Sequence, residues 1–193
     1  MMRSLLLTAV LVTMSGCASS PQAKFYTLSA VPPSARAETA TPVGIALDSV
    51  TVPDLVDRPQ FVVRIDATQV KIDEYARWAE PLKSQISRVL VADLAQSVPG
   101  ALVSSSSQWV GAVHTYHVSV DVQSFESALN DTATIAVLWT VRPPKPGTAV
   151  NGRTIVHEPT SAPGYDALVD AHNRALASVS SDIAGAIRST LRP

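Results

Sequence analysis

A chain of 193 residues with a formal net charge of -1 has no basic excess with which to hold nucleic acid or an anionic bilayer. Its single cysteine excludes an intrachain disulfide, and its length suits one domain with a real core. No apolar stretch reaches the ~20 residues that a membrane-crossing helix needs.

The chain opens Met1-Met2-Arg3, runs apolar from Leu5 to Val12 and leaves through Thr13-Met14-Ser15-Gly16-Cys17. A basic start, a short apolar run and a small-residue exit are the parts of a secretory leader. The Cys after Ser15-Gly16 resembles the bacterial lipobox, with Met14 where Leu is usual. That resemblance implies a leader over residues 1–16 and a single mature domain over 17–193. Cys17 then carries a diacylglycerol on sulfur and an acyl chain on the new amino terminus, and no other cofactor is expected. Several acyl chains at ~0.8 kcal/mol per buried CH₂ hold a protein on a bilayer far better than one. Ala18 and Ser19 follow, without the Asp that marks inner-membrane retention in enteric-type bacteria. The implied location is the outer membrane, lipid-anchored, with the body facing the periplasm.

Along the mature chain, Lys24 to Leu28 is a short strand candidate and the Pro-rich Ala30 to Pro42 a surface loop. Val43 to Val50 alternates as a strand, and Pro53 and Pro59 bracket a rigid loop. Phe61 to Ile65 is a strand, Asp66-Ala67 a turn, and Gln69 to Ile72 a returning strand. From Trp78 the period becomes helical: Trp78, Leu82, Ile86, Val89, Leu90 and Leu94 lie on one stripe, with Lys83, Gln85, Ser87 and Arg88 mostly off it. The pattern predicts an amphipathic helix of about twenty residues, Pro81 in its first turn, ended by Pro99-Gly100. Trp78 and Leu82 read as core.

His114 to Glu126 alternates polar and apolar, as a strand with one wet face does. Asn130-Asp131 suits a hairpin turn. Thr132 to Val141 sets Ile135, Val137, Trp139 and Val141 on one face and Thr134, Ala136, Leu138 and Thr140 on the other. Trp139 reads as core, whereas Leu138 lies on a second, nearly apolar face that needs a cover and is a candidate partner contact. Pro143 to Gly152 reads as a loop, Arg153 to His157 as a strand, and Tyr165 to Thr190 as a closing helix with Leu168, His172, Leu176, Val179, Ile183 and Ile187 inward. The expected fold is α+β: an antiparallel or mixed sheet of about six strands with two long helices packed on one face.

The residues that do chemistry are scattered. His114 and His117 are three apart on a strand and point to opposite faces, His157-Glu158 splits likewise, and His172 sits on the apolar stripe of the last helix. No spacing typical of a metal site is present. Ser104 to Ser107 lacks a nucleophile-elbow context, and Asp54, Asp57 and Asp66 read as turn formers rather than a hydrolytic carboxylate pair. Nothing here builds an enzyme, and without a Gly-rich phosphate loop any ATPase must be a partner's.

Three segments carry a resemblance: Phe25-Tyr26-Thr27-Leu28, Val52-Pro53-Asp54-Leu55-Val56-Asp57-Arg58-Pro59-Gln60-Phe61-Val62-Val63-Arg64, and Arg77-Trp78-Ala79-Glu80-Pro81-Leu82. In this order behind a lipobox they resemble the ABC-type transport auxiliary lipoprotein family. The resemblance implies a non-catalytic part of an envelope transporter that moves lipids or other hydrophobic molecules between the two membranes. Its implied partners are a mammalian-cell-entry-type protein with an inner-membrane permease and an ATPase, and a second copy of the chain is a further candidate. Asp57, Arg58 and Arg64 become candidate transporter contacts, against the simpler reading that Asp57 and Arg58 pair and brace their turn. A lipid or small-ligand binding lipoprotein acting alone, and an envelope hydrolase, are the rival readings.

Overall fold

The computed structural model describes residues 21–32, 43–105, 114–144 and 147–191. Cys17, the expected leader and most of the Pro-rich stretch lie outside the described residues. The strands are β1 (Lys24–Tyr26), β2 (Gly44–Thr51), β3 (Gln60–Arg64), β4 (Val70–Trp78), β5 (Leu102–Ser104), β6 (Thr115–Ser127), β7 (Thr132–Arg142) and β8 (Val150–Pro159). The helices are α1 (Leu82–Ser97) and α2 (Tyr165–Leu191).

All eight strands join one mixed sheet, organised around β6. Along one edge β6 pairs antiparallel with β7, which pairs antiparallel with β8. Along the other edge it pairs parallel with β2 as far as Asp121 and then touches β3 at Val63↔Ser127. Beyond these, β5 runs parallel to β2, β4 antiparallel to β3, and β1 parallel to β4. Parallel pairs require a crossover, and α1 supplies it between β4 and the β5–β6 segment.

Local sequence explains most of this. In β6, Tyr116, Val118, Val120 and Val122 turn inward by strict alternation. A register shift between Val122 and Ser124 then reverses the phase, so that Phe125 and Ser127 are the buried residues beyond it. Asn130 takes a positive φ of 63° in the β6–β7 turn, a conformation Asn tolerates well. Gly152 lies directly beneath the Trp139 ring, where a Cβ would strike the indole. Trp139 is partly buried there and donates its Nε1–H to Thr154 Oγ1 at 3.0 Å.

Both helices bury apolar stripes against the inner sheet face and each other. The α1 stripe of Leu82, Ile86, Val89, Leu90 and Leu94 is fully removed from water, as are Leu168, Leu176, Val179, Ile183 and Ile187 of α2. An aromatic chain crosses the core from β1 to α2. Tyr26 meets Phe61 edge-on at 5.4 Å, Phe61 stacks on Trp78 at 4.0 Å, Trp78 meets Phe125 at 6.1 Å, and Phe125 stacks on His172 at 4.0 Å.

Four expectations need correction. Among the described residues the sheet has eight strands rather than about six: the α+β class holds, and β5, a three-residue piece too short to register as periodicity, is added by its parallel pairing with β2. The helical period does not begin at Trp78: β4 runs through that residue, Pro81 caps the helix, and α1 spans 16 residues. Trp78 is nonetheless core, at 4% exposure, because its strand ends against the same stripe. Gln85 is buried despite its polarity. Finally, β8 begins at Val150 rather than Arg153, since pairing with β7 carries the strand through Asn151 and Gly152.

Candidate functional site

The segment from Val52 to Pro59 leaves β2 and folds back on itself through Val56 N–H and Asp57 N–H donating to the Pro53 carbonyl at 3.0 and 3.1 Å. Its end is fastened to the sheet where Trp78 N–H donates to Pro59 O at 2.7 Å. One residue on, Ala79 N–H donates to Tyr26 O at 2.9 Å, extending the β1–β4 pairing. Residues far apart in sequence therefore meet around one cavity of about 430 Å³, walled by Phe25, by Asp57-Arg58-Pro59 and by Trp78 through Pro81. Each wall comes from a different one of the three sequence segments singled out above.

Phe25 is 65% exposed and lines the rim of this cavity. Arg58 is half-buried, and among the described residues its Nε is sealed from water without a hydrogen-bond partner. Asp57 is exposed and forms no ion pair with Arg58 among the described residues, so backbone hydrogen bonds, not that pair, brace the turn. Glu80 lies 3.5 Å from Arg88.

The other two candidate contacts sit elsewhere. Arg64 grips Glu126 through both oxygens, Nε to Oε2 at 2.8 Å and Nη2 to Oε1 at 3.0 Å. Glu126 pairs with Thr134, which shares its face with Leu138, so Arg64 and Leu138 both belong to the sheet face opposite the helices. On that face Leu138 is 39% exposed, and Ile155, opposite the buried Ala136, is 49% exposed. A small groove between Leu55, Val62 and Val70 opens beside Arg64. The structure thus divides the candidate contacts into a cavity at Arg58 and a broad outer face at Arg64 and Leu138.

Sequence reasoning missed the clamp behind the cavity. After β1 the chain passes between the helices, where the buried Gln85 accepts Leu28 N–H at 2.6 Å and donates to Glu80 O at 2.9 Å. Arg88 donates to Leu28 O at 3.3 Å, and Asn173 accepts Ser29 N–H at 3.0 Å. Asp93, buried on α1, takes the Val31 N–H, and burial pushes its carboxyl up to about 6 against the opposing pull of that N–H and of Ser180. No periodicity marks these residues; polar groups on a buried stripe were the available signal. Tyr165 O–H donates to Asp73 at 2.7 Å, which holds the Asp73 carboxyl below its ordinary range, while burial first and this hydrogen bond second raise the phenol.

The Ser127–His172 contact, 2.8 Å from Oγ to Nε2, has the look of a catalytic dyad but not the setting. His172 is wholly buried under Phe125, and that burial lowers its pKa to about 3, which leaves a neutral imidazole with no route to a substrate. His117 instead meets Asp48 at 3.0 Å and His157 meets Thr134 at 3.0 Å, each on its own part of the surface. Among the described residues no helix is long and apolar enough to cross a membrane.

The sequence model described as ABC-type transport auxiliary lipoprotein component matches residues 26–184. No curated protein sequence matches the chain. Among solved structures, an uncharacterized protein superposes with a TM-score of 0.73 at 23% identity, over 87% of this chain and 99% of that one. A Xanthomonas campestris protein of the DUF330 family superposes with a TM-score of 0.62 at 20% identity, over 84% and 93% of the two chains. These similarities establish the fold.

Proposed function

Since the chain belongs to the ABC-type transport auxiliary lipoprotein family, which gives it a transport-related lipoprotein role, we propose that it is a non-catalytic, outer-membrane-anchored component of an envelope transporter. In this reading Cys17 carries the lipid and the body faces the periplasm. There it contacts a mammalian-cell-entry-type protein, served by an inner-membrane permease and an ATPase, and the assembly moves lipids or other hydrophobic molecules between membranes. The observation that carries the reading is the meeting of all three family-like segments on one cavity, next to the strand that follows the anchor. A catalytic protein brings its reactive side chains together; this chain brings together Phe25, Arg58, Pro59 and Trp78, which bind and do not react. The clamp of Gln85, Arg88 and Asn173 on Leu28 and Ser29 further supports it, because it ties the strand nearest the anchor firmly to the body.

The test is membrane fractionation with affinity purification of the tagged full chain. The wild type is expected in the outer-membrane fraction together with the transporter protein, with both acyl modifications on Cys17 by mass spectrometry. Cys17→Ser is expected to lose modification and leave the membrane fraction. An unmodified Cys17 at the mature terminus, or purification without any transporter component, would count against the proposal. The cavity favours a second reading, a lipoprotein that binds a lipid or small ligand alone. Ligand binding without any transporter association would select it.

A further inference from the structure

The cavity at Arg58 has the features of a site for an amphipathic anion. Its volume, about 430 Å³, falls in the range of small-molecule sites, and Phe25, Pro59, Trp78, Ala79 and Pro81 make most of its wall apolar. Into this wall comes a guanidinium whose Nε–H is sealed from water and, among the described residues, lacks an acceptor. An atom closed to water is closed to a ligand as well, so an oxygen entering the cavity meets the outer Nη–H groups of Arg58, which are not sealed. The planar fork of Arg suits a carboxylate or a phosphate. The neighbouring acids leave room for one: Glu80 is turned toward Arg88, and Asp57 is exposed on the rim.

Position adds a second argument. Phe25 follows Cys17 by eight residues, so at 3.3–3.6 Å per residue the rim stays within about 30 Å of the lipidated terminus. An exposed phenyl ring is well suited to meet acyl chain near a bilayer surface.

From these features we infer that the cavity walled by Phe25, Arg58, Pro59 and Trp78 binds an amphipathic anion, its carboxylate or phosphate head on Arg58 and the start of its acyl chain against Phe25 and the prolines. This deepens the proposed function, on which its membrane proximity rests, by giving the hydrophobic cargo or membrane lipid a place on this chain. The head chemistry is shared by a free fatty acid and a phospholipid. The apolar wall supplies most of the affinity and Arg58 the choice of head, because Asp57 on the rim weakens the local positive field.

The full lipidated chain in phosphatidylcholine vesicles is the material for the test. Vesicles are doped in turn with diazirine-labelled palmitate, phosphatidylglycerol or hexadecanol, irradiated, and the crosslinked residues mapped by mass spectrometry. Palmitate, phosphatidylglycerol or both are expected to label Phe25 and residues 57–59 and 78–81 at least fivefold more than hexadecanol, and which of them labels identifies the source of the anion. Arg58→Gln is expected to reduce the label to the hexadecanol level and Phe25→Ala to reduce it for every probe. Arg153→Gln on the outer face should leave it unchanged. Thermal melting checks that the variants fold, and Phe25→Ala, at an exposed position, keeps the test valid if Arg58→Gln does not. Equal labelling by hexadecanol, crosslinks mapping elsewhere, or a label indifferent to both cavity variants would overturn the inference. Such a failure with transporter co-purification intact would leave the proposed function standing.

Discussion

Two buried titratable side chains act against each other. Asp93 has an ordinary pKa of 3.8 and is raised to about 6 by burial, so the folded state binds a proton that the unfolded state releases between about pH 4 and 6. Its contribution therefore favours folding more as pH falls through that window. His172 runs the opposite way: lowered from 6.5 to about 3 by burial, it stays neutral when folded while the unfolded imidazole takes a proton, so stability is lost as pH falls below 6.5. Between about pH 4 and 6 the two slopes oppose. Asp93→Asn, which keeps an acceptor for Val31 N–H, is expected to stabilise at pH 7 by roughly 1–3 kcal/mol and to show the His172 slope uncovered below pH 6.5. Urea denaturation at pH 7 and pH 5 measures both effects, and an Asp93→Asn protein weaker than wild type at pH 7 would refute the account. Trp78 is the other residue whose removal has a large effect. Buried at 4% exposure and stacked on Phe61, it should cost roughly 3–5 kcal/mol as Trp78→Ala, read as a lowered denaturant midpoint.

Between elements, the polar clamp on the β1 exit joins pieces that local propensity would leave apart. β1 has three residues, too few to hold itself on the sheet, and its parallel pairing with β4 covers Lys24↔Ala76 to Tyr26↔Trp78 alone. Gln85 compensates by satisfying Leu28 N–H and Glu80 C=O from inside α1. Gln85→Leu keeps the volume but leaves the buried Leu28 N–H without its acceptor, at about 1–3 kcal/mol, and frees the part-buried Glu80 C=O. Hydrogen exchange is expected to show faster exchange at Leu28 and Ala79, with the amides of β6 and β7 little changed. Uniform acceleration across the sheet would mean that β1 is part of the global unfolding unit rather than a locally fastened strand.

At the scale of the whole molecule, two helices cover one sheet face, and among the described residues nothing covers Leu138 and Ile155 on the other. That outer face carries Leu138, Ile155 and the Arg64–Glu126 pair. We expect it to be the transporter-facing or self-associating surface, with the Arg58 cavity at the β1–β4 end serving the lipid. Leu138→Arg tests the division, since an exposed leucine can be replaced without loss of fold. The variant is expected to melt within a few degrees of wild type, retain crosslinking at the Arg58 cavity and lose co-purification with the transporter protein or with itself. Full retention of every association would remove this face from consideration.

The two helical stripes, the alternation of β6 and β7 and the order of the three family-like segments are all written locally. Each is a pattern within a few turns or a few strand residues, and hydrophobic periodicity reports such patterns directly. The extension of β4 through Trp78 was not legible, because a tryptophan at a strand end and one at a helix start both face the core. Nor was β5, a three-residue strand that gains its pairing from β2 at a distance. The site divides in the same way. Arg58 can be picked out along the chain as a candidate contact, Phe25 and Trp78 stand only within the family-like segments, Trp78 reading as core, and Leu138 marks an apolar face. That the first three share one cavity, while Arg64 and Leu138 lie on another surface, depends on the parallel pairing of β1 with β4 and on the Trp78–Pro59 hydrogen bond. Long-range pairing depends on how the whole core closes, so the tertiary structure alone decides which of these residues become neighbours.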